Sequence, residues 1–149
     1  MITLKRTNSD DLDFQELVIL LDLELKERDG EEHSFYAALN TTNSLNYVVV
    51  AYDQEEPIGC GALREYSKDV MEVKRMFVPL QKRGQGIAST ILKALENWCA
   101  ELGIKKCILE TGKNQPEAIA LYKKNLYHII PNFGKYKGVE NSVCFEKEL

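Results

Sequence analysis

The stretch RMFVPLQKRGQGIAS, Arg75 through Ser89, decides how the whole chain is read. A run of strand-forming residues ends at Pro79. Two bases, Lys82 and Arg83, and two glycines flanking Gln85 follow, and then a helical apolar pattern begins. At such a strand-to-helix junction the first turn of the helix leaves several backbone N–H groups unpaired, and the dipole adds roughly half a positive charge. Glycines let the backbone come close to a ligand and adopt turns that side chains would block. An anionic phosphate fits that place, and Lys82 and Arg83 would reinforce it.

Upstream of the junction three segments read as strands: YVVVAY (Tyr47–Tyr52), IGCGALREY after the turn DQEEP, and DVMEVKRMFV. Downstream, Ile87, Ile91, Leu92, Leu95, Trp98, Cys99 and Leu102 fall on one helical face, and Gly103 follows the last turn. IKKCILET has the composition of a buried strand, and QPEAIALYKKN reads as a helix with Pro116 in its first turn. LYHII and SVCFEKEL are strands around the loop PNFGKYKGVEN. At the other end, Ile2–Arg6 reads as a short strand. A long helix then begins at an Asn8 or Ser9 cap and stops before Gly30, and a shorter one is expected over Ser34–Leu39. The order β-α-α-β-β-β-α-β-α-β-β predicts one α/β domain (α+β mixed) over residues 1–149. Its sheet is mixed, mostly antiparallel and of about seven strands, with helices on both faces.

A length of 149 residues suits one domain with a real core, and 44% hydrophobic with 28% charged residues is ordinary for a soluble globular protein. The N-terminus has no apolar leader segment, and no apolar run is long enough to span a bilayer. Four cysteines without a CxxC pair, and only two histidines, argue against a metal site; reduced, buried thiols in a cytoplasmic protein are the plain reading. A net charge of −4 argues against a general nucleic-acid binder. That charge is uneven: residues 1–32 carry ten acids and four bases, whereas residues 74–124 carry ten bases and four acids. The split suits one anionic and one cationic ligand, or two solvated surfaces with no partner.

Three phosphate-binding readings compete for the glycine loop, beside a plain glycine turn with surface bases. A Walker loop needs GxxxxGK[ST], which this chain lacks. A dinucleotide fingerprint needs GxGxxG, but Ser89 stands where the third glycine belongs, in mid-chain. The third reading rests on more residues. QKRGQGIAS resembles the Q/R-x-x-G-x-G/A signature of the GNAT acetyltransferases, with Gln81, Gly84 and Gly86 at the defining positions, and AIALYKKNLY resembles that family's A-I-x-L-Y-x-x-x-G-F/Y. Both motifs stand in the family's order, and the resemblance extends over nearly the whole chain.

That resemblance implies a fold and a chemistry. The loop would hold the pyrophosphate of acetyl-CoA through the backbones of Arg83, Gly84, Gln85, Gly86, Ile87 and Ala88. The strand end Phe77–Val78 would pair with the pantetheine arm, whose amides need backbone partners. Two departures matter. Gln115, with Asn114 beside it, stands where the family often has Asn, and either amide could reach that arm. The glycine before the final aromatic pair is read as Asn125, which tolerates a left-handed turn. The implied reaction is N-acetylation of a primary amine of a small molecule or peptide. A cationic acceptor is favoured by the acidic N-terminal segment. The resemblance also allows a homodimer. A non-catalytic acyl-CoA-binding module on the same fold and a nicotinamide oxidoreductase are the alternatives.

Amine attack on a thioester needs a base, because alkyl amines are mostly protonated, with pKa about 10.4. It also needs an acid for the leaving thiolate. An oxyanion donor, such as a backbone N–H near Val78, would help. Glu72 is the candidate base: it lies six residues before Val78, which strict strand alternation would put on the same face. The plainer reading pairs it with Lys74 or a cross-strand base. Tyr122, the motif tyrosine, is the candidate acid; otherwise it is a packed tyrosine with a bonded hydroxyl. Lys74 and Arg75 read as salt-bridged surface residues, and His33 and His128 as structural histidines. The loop carrying Phe133 and Tyr136 is expected to wall the acceptor site or to be an exposed hairpin loop.

Overall fold

The computed structural model describes residues 1–29 and 44–149. The expected helix at Ser34–Leu39, and His33, lie outside them. The elements are β1 (Ile2–Thr7), α1 (Leu12–Asp29), β2 (Tyr47–Asp53), β3 (Glu56–Ser67), β4 (Val70–Phe77), α2 (Ile87–Glu101), β5 (Lys106–Gly112), α3 (Pro116–Lys124), β6 (His128–Ile130) and β7 (Ser142–Glu148). Among the described residues they form the expected single mixed sheet of seven strands, ordered β1-β2-β3-β4-β5-β7-β6, in which only the neighbours β4 and β5 run parallel. Among the described residues no helix is long and apolar enough to cross a membrane.

The alternation in β2 shows why both sheet faces are covered. Val48 and Val50 pack with Phe14, Leu17, Val18 and Leu21 of α1, while Val49 and Ala51 join Ile91, Leu92 and Leu95 of α2 in a second core. Each fully buried aliphatic side chain of this kind contributes about 1.5–3 kcal/mol. Helix α2 lies close against β3 because Gly61 presents no side chain: a Cβ there would sit 2.5 Å from Met76 Sδ and 2.9 Å from Leu95 Cδ1. The cap of α1 is Asp11 rather than Asn8 or Ser9. Its Oδ1 accepts the Phe14 N–H at 3.0 Å, whereas Asn8 Oδ1 takes the Asp10 N–H and Ser9 Oγ takes the Leu45 N–H.

Two irregularities shape the site. First, β4 and β5 are in register only from Val70–Lys106 to Glu72–Ile108, so beyond Glu72 the two parallel strands part. Second, β4 carries one extra residue against β3. Cys60 faces Phe77 and Ala62 faces Lys74, with Arg75 at φ 58° between them. A bulge of this kind breaks the two-residue period. Before it, Met71 and Val73 point into the α2 core; after it, Val78 joins that same core and Phe77 turns to the α1 side. Glu72, which alternates with Met71 and Val73, therefore faces the α1 side, opposite Val78. The expectation that Glu72 and Val78 share a face is corrected by the bulge.

The end of α3 also differs from expectation. Asn125 has φ −92°, and the left-handed residue is Leu126, at φ 71°. Asn125 instead uses its amide: Nδ2 donates to the Leu121 carbonyl at 2.9 Å and to Ser89 Oγ at 3.1 Å, tying α3 to the start of α2.

Candidate active site

Where β4 and β5 part, a groove of about 510 Å³ opens between the β4–α2 loop and α3. One wall is the strand end Met76–Val78 and the loop, and the other is Ala118, Leu121 and Tyr122 of α3. Gly84 and Gly86 stand at φ 83° and 79°, and a Cβ on either would meet nothing within 4 Å. Their role is conformational, since a left-handed backbone is what L side chains avoid. The open space above them is the groove itself. Gly86 caps α2 without any side-chain partner. Among the described residues, the N–H groups from Gly84 to Ser89 have no turn, loop or cap partner, while that of Arg83 already goes to the Leu80 carbonyl at 3.3 Å. The loop thus presents a row of free donors at a helix start.

The two loop bases are not free to add their charge. Arg83 Nε donates to the Val78 carbonyl at 2.8 Å and its Nη2 to Glu24 at 2.7 Å. Lys82 sits 3.2 Å from Glu56. Their first task is to fasten the loop to β4, α1 and β3. Lys124 of α3 also lines the groove, and it is exposed.

The groove continues into a smaller chamber of about 110 Å³ on the α1 side of β4; Met76, Gln115, Ala118 and Tyr122 line both. Polar groups converge here. Tyr136, 1% exposed, donates its hydroxyl to Glu72 Oε2 at 3.3 Å and accepts from Lys74 Nζ at 3.1 Å; the Lys74–Glu72 ion pair measures 3.6 Å. Burial pulls Lys74 below the usual lysine range, and Glu72 only partly offsets it. Burial first, and then the neighbouring Glu72 carboxylate, hold Tyr136 well above an ordinary phenol. Tyr122 is likewise pushed up by burial and by the charge of Glu110, so its phenol keeps its proton. Among the described residues, two buried donors at the chamber have no partner, Arg75 Nε and Gln115 Nε2.

The chamber brings Glu72 and Tyr122 to one space, with Gln115 at its junction to the groove. Asn114 is exposed and lines neither cavity, although its carbonyl lies 3.5 Å from Arg28 Nη1. Gln85 is exposed at the loop tip, so only its backbone belongs to the row of donors. Lys74 and Arg75 are ion-paired but buried, not surface residues; Arg75 Nη1 reaches Asp22 of α1 at 2.7 Å. Tyr136, on the loop expected either to wall the acceptor site or to be an exposed hairpin loop, turns inward and joins the chamber. His128 is exposed and sits 3.3 Å from Glu146, away from the chamber.

A model of the acetyltransferase (GNAT) family matches residues 13–126 of this chain. An IAA acetyltransferase of Azospirillum brasilense is 37% identical over 93 residues, which is 62% of this chain and 61% of that protein. An uncharacterized N-acetyltransferase of Bacillus subtilis, YjcF, is 35% identical over 83 residues, 55% of this chain and 56% of its own length. The matched stretches thus span little more than half of these relatives. Among solved structures, a "putative acyl-CoA N-acyltransferase" of Klebsiella pneumoniae has a TM-score of 0.83 at 29% identity, covering 100% of this chain and 98% of that one. The PaiA N-acetyltransferase of Thermoplasma acidophilum, solved with coenzyme A, shares the fold with a TM-score of 0.72 at 16% identity, over 100% and 99% of the two chains.

Proposed function

The chain belongs to the GNAT acetyltransferase family, and on that premise we propose that it transfers the acetyl group of acetyl-CoA directly to a primary amine of a small molecule or peptide. The observation that carries the proposal is the groove. It begins at the unpaired amides of Gly84–Ala88 and runs past the parted edge of β4 to the chamber that holds Glu72 and Tyr122.

The residues fit the ligand's chemistry part by part. A pyrophosphate needs several N–H donors at a helix start with room above them, which Gly84 to Ala88 supply. An arm carrying two amides needs a strand edge, which β4 leaves open beyond Glu72, and Gln115 Nε2 is a buried donor lacking an acceptor there. Acetyl-CoA supplies an activated acyl carbon and a thiolate leaving group.

The chain's residues handle the protons. Glu72, directly or through a water, accepts the proton of the incoming ammonium, leaving a neutral amine to form the new C–N bond. A backbone N–H near Val78 faces the charge growing on the carbonyl oxygen. Tyr122 gives its proton to the sulfur as the C–S bond breaks, and the second proton that the nitrogen sheds in becoming an amide returns through solvent to the Tyr122 phenolate. Lys74 and Tyr136 hold the Glu72 carboxylate in place by the contacts given above. Four buried free thiols suit a reducing compartment, and a cytoplasmic location belongs to this reading.

Calorimetric titration of the purified protein with acetyl-CoA, with NADH as the control, tests the cofactor. Micromolar binding of acetyl-CoA alone, abolished in Gly84→Trp, is the expected result; a folded protein that binds no acetyl-CoA would sink the reading. An amine panel followed by thiol release then separates a transferase from a non-catalytic acyl-CoA-binding module, which would bind without turnover.

A further inference from the structure

Behind Glu72 and Tyr136 lies a third cavity, of about 240 Å³, whose remaining walls are not used by the chemistry above. Glu72 and Tyr136 line both it and the inner chamber, so the two spaces share one partition. Arg64 of β3 is the cross-strand neighbour of Glu72, which puts both side chains on the α1 face of the sheet. Among the described residues the other acid lining the cavity is Glu65, which pairs instead with Met71, whose side chain is in the opposite core. Glu72 is itself already engaged with Lys74 and Tyr136. Among the described residues Arg64 has no carboxylate within ion-pair distance, and it stands beside Lys135, which also lines the cavity. Tyr66 and Phe133, edge to face at 5.3 Å, supply apolar walls.

We propose that this outer cavity binds a carboxylate of the acceptor, held by the Arg64 guanidinium, so that the substrate is a small amine that also carries a carboxylate, of amino-acid size. The assignment rests on the acetyltransferase reading and narrows its acceptor. The geometry is that of a two-ended molecule: the acid end lies at Arg64, a short apolar stem runs along Tyr66 and Phe133, and the amine passes the partition to Glu72. A guanidinium matches a carboxylate with two parallel hydrogen bonds, which a lysine cannot reproduce. Of the N-terminal acids that suggested a cationic acceptor, four are already engaged: Asp11 by Lys5, Asp13 by Tyr52, Asp22 by Arg75 and Glu24 by Arg83.

The test uses matched probes: alanine and phenylalanine, their amides, and ethylamine and 2-phenylethylamine, against the wild type, Arg64→Gln and Arg64→Lys. Binding is read by calorimetry in the presence of coenzyme A, and turnover by thiol release with acetyl-CoA. Arg64 is exposed on its strand, so its variants keep the fold. The carboxylate-bearing probes are expected to bind at least about tenfold more tightly than their amides, Arg64→Gln to erase that difference and Arg64→Lys to restore only part of it. In turnover the change falls on KM, with kcat and the affinity for acetyl-CoA unmoved. Equal binding of acids and amides, or a preference that survives Arg64→Gln, would overturn the proposal. Absence of turnover with every amine, alongside Arg64-dependent carboxylate binding, would count against the transferase and leave the subsite standing.

Discussion

On the proposed mechanism Tyr122 and Glu72 carry the proton steps, and their substitutions should be separable from binding. Tyr122→Phe removes one oxygen from a buried, well-packed ring, so the protein stays folded; kcat should fall about 10²-fold with the acetyl-CoA dissociation constant unchanged. Glu72→Gln should lower kcat comparably near neutral pH and less at high pH, where the free amine is abundant; a pH profile identical to wild type would remove Glu72 as base. Asp11 gives a second test, of stability. Burial would raise its carboxyl, but the Lys5 ammonium and the Phe14 N–H outweigh that and leave it below the usual range. A depressed native pKa stabilises fully above the unfolded value of about 3.9, and that contribution is lost as pH falls through the lower native value. Asp11→Asn should therefore differ most from wild type in urea melts at neutral pH and converge with it in acid. A site is legible in sequence where motifs name it, as they name Tyr122 and the glycine loop; Glu72 was reached by a strand-face argument that the bulge overturns, although it does line the chamber. Tyr136 and the pairing of Arg83 with Glu24 are not legible, because those partners lie dozens of residues apart and local pattern holds no record of them.

At the scale of elements, β2 and β3 were readable as short continuous apolar runs bounded by turn residues, and α2 by its apolar period of 3.6. The bulge in β4 was not. Nothing in VMEVKRMF marks Arg75 as left-handed; tertiary partners sustain it there, Asp22 on its guanidinium and Cys60 Sγ, which lies 3.4 Å from its carbonyl. That single unseen residue reverses the face on which Val78 and Phe77 point. The close seat of α2 on β3 gives a direct check of packing. Gly61→Val would place methyls where Met76 and Leu95 already stand, and it should cost about 1–3 kcal/mol of unfolding free energy by overpacking. Met76 lines the groove, so acetyl-CoA should bind more weakly as well. A variant as stable as wild type would show that α2 shifts freely along the sheet.

Across the whole molecule, α1 closes the site by fastening to each of its walls: Asp22 to the β4 bulge, Glu24 to the glycine loop through Arg83, and Arg28 to Glu117 at the start of α3, at 2.6 Å. These links are not equivalent. The Arg75 side chain is 6% exposed and already has one unpartnered donor, Nε, so loss of Asp22 would leave a guanidinium nearly without acceptors inside the protein. Arg6 and Glu101, by contrast, form a two-bond pair fully at the surface, where water and salt replace it easily. Asp22→Ala should therefore cost about 1–3 kcal/mol, and the loss should persist in high salt because a buried group is poorly screened. Glu101→Ala should leave the urea midpoint almost unmoved. The bulge orients Lys74 and Arg75 together toward the chamber, so Asp22→Ala should also lower kcat, whereas Glu101→Ala should not. If the two variants prove alike in stability and in turnover, the pairs on α1 are surface dressing, and the site's shape is held by the two hydrophobic cores alone.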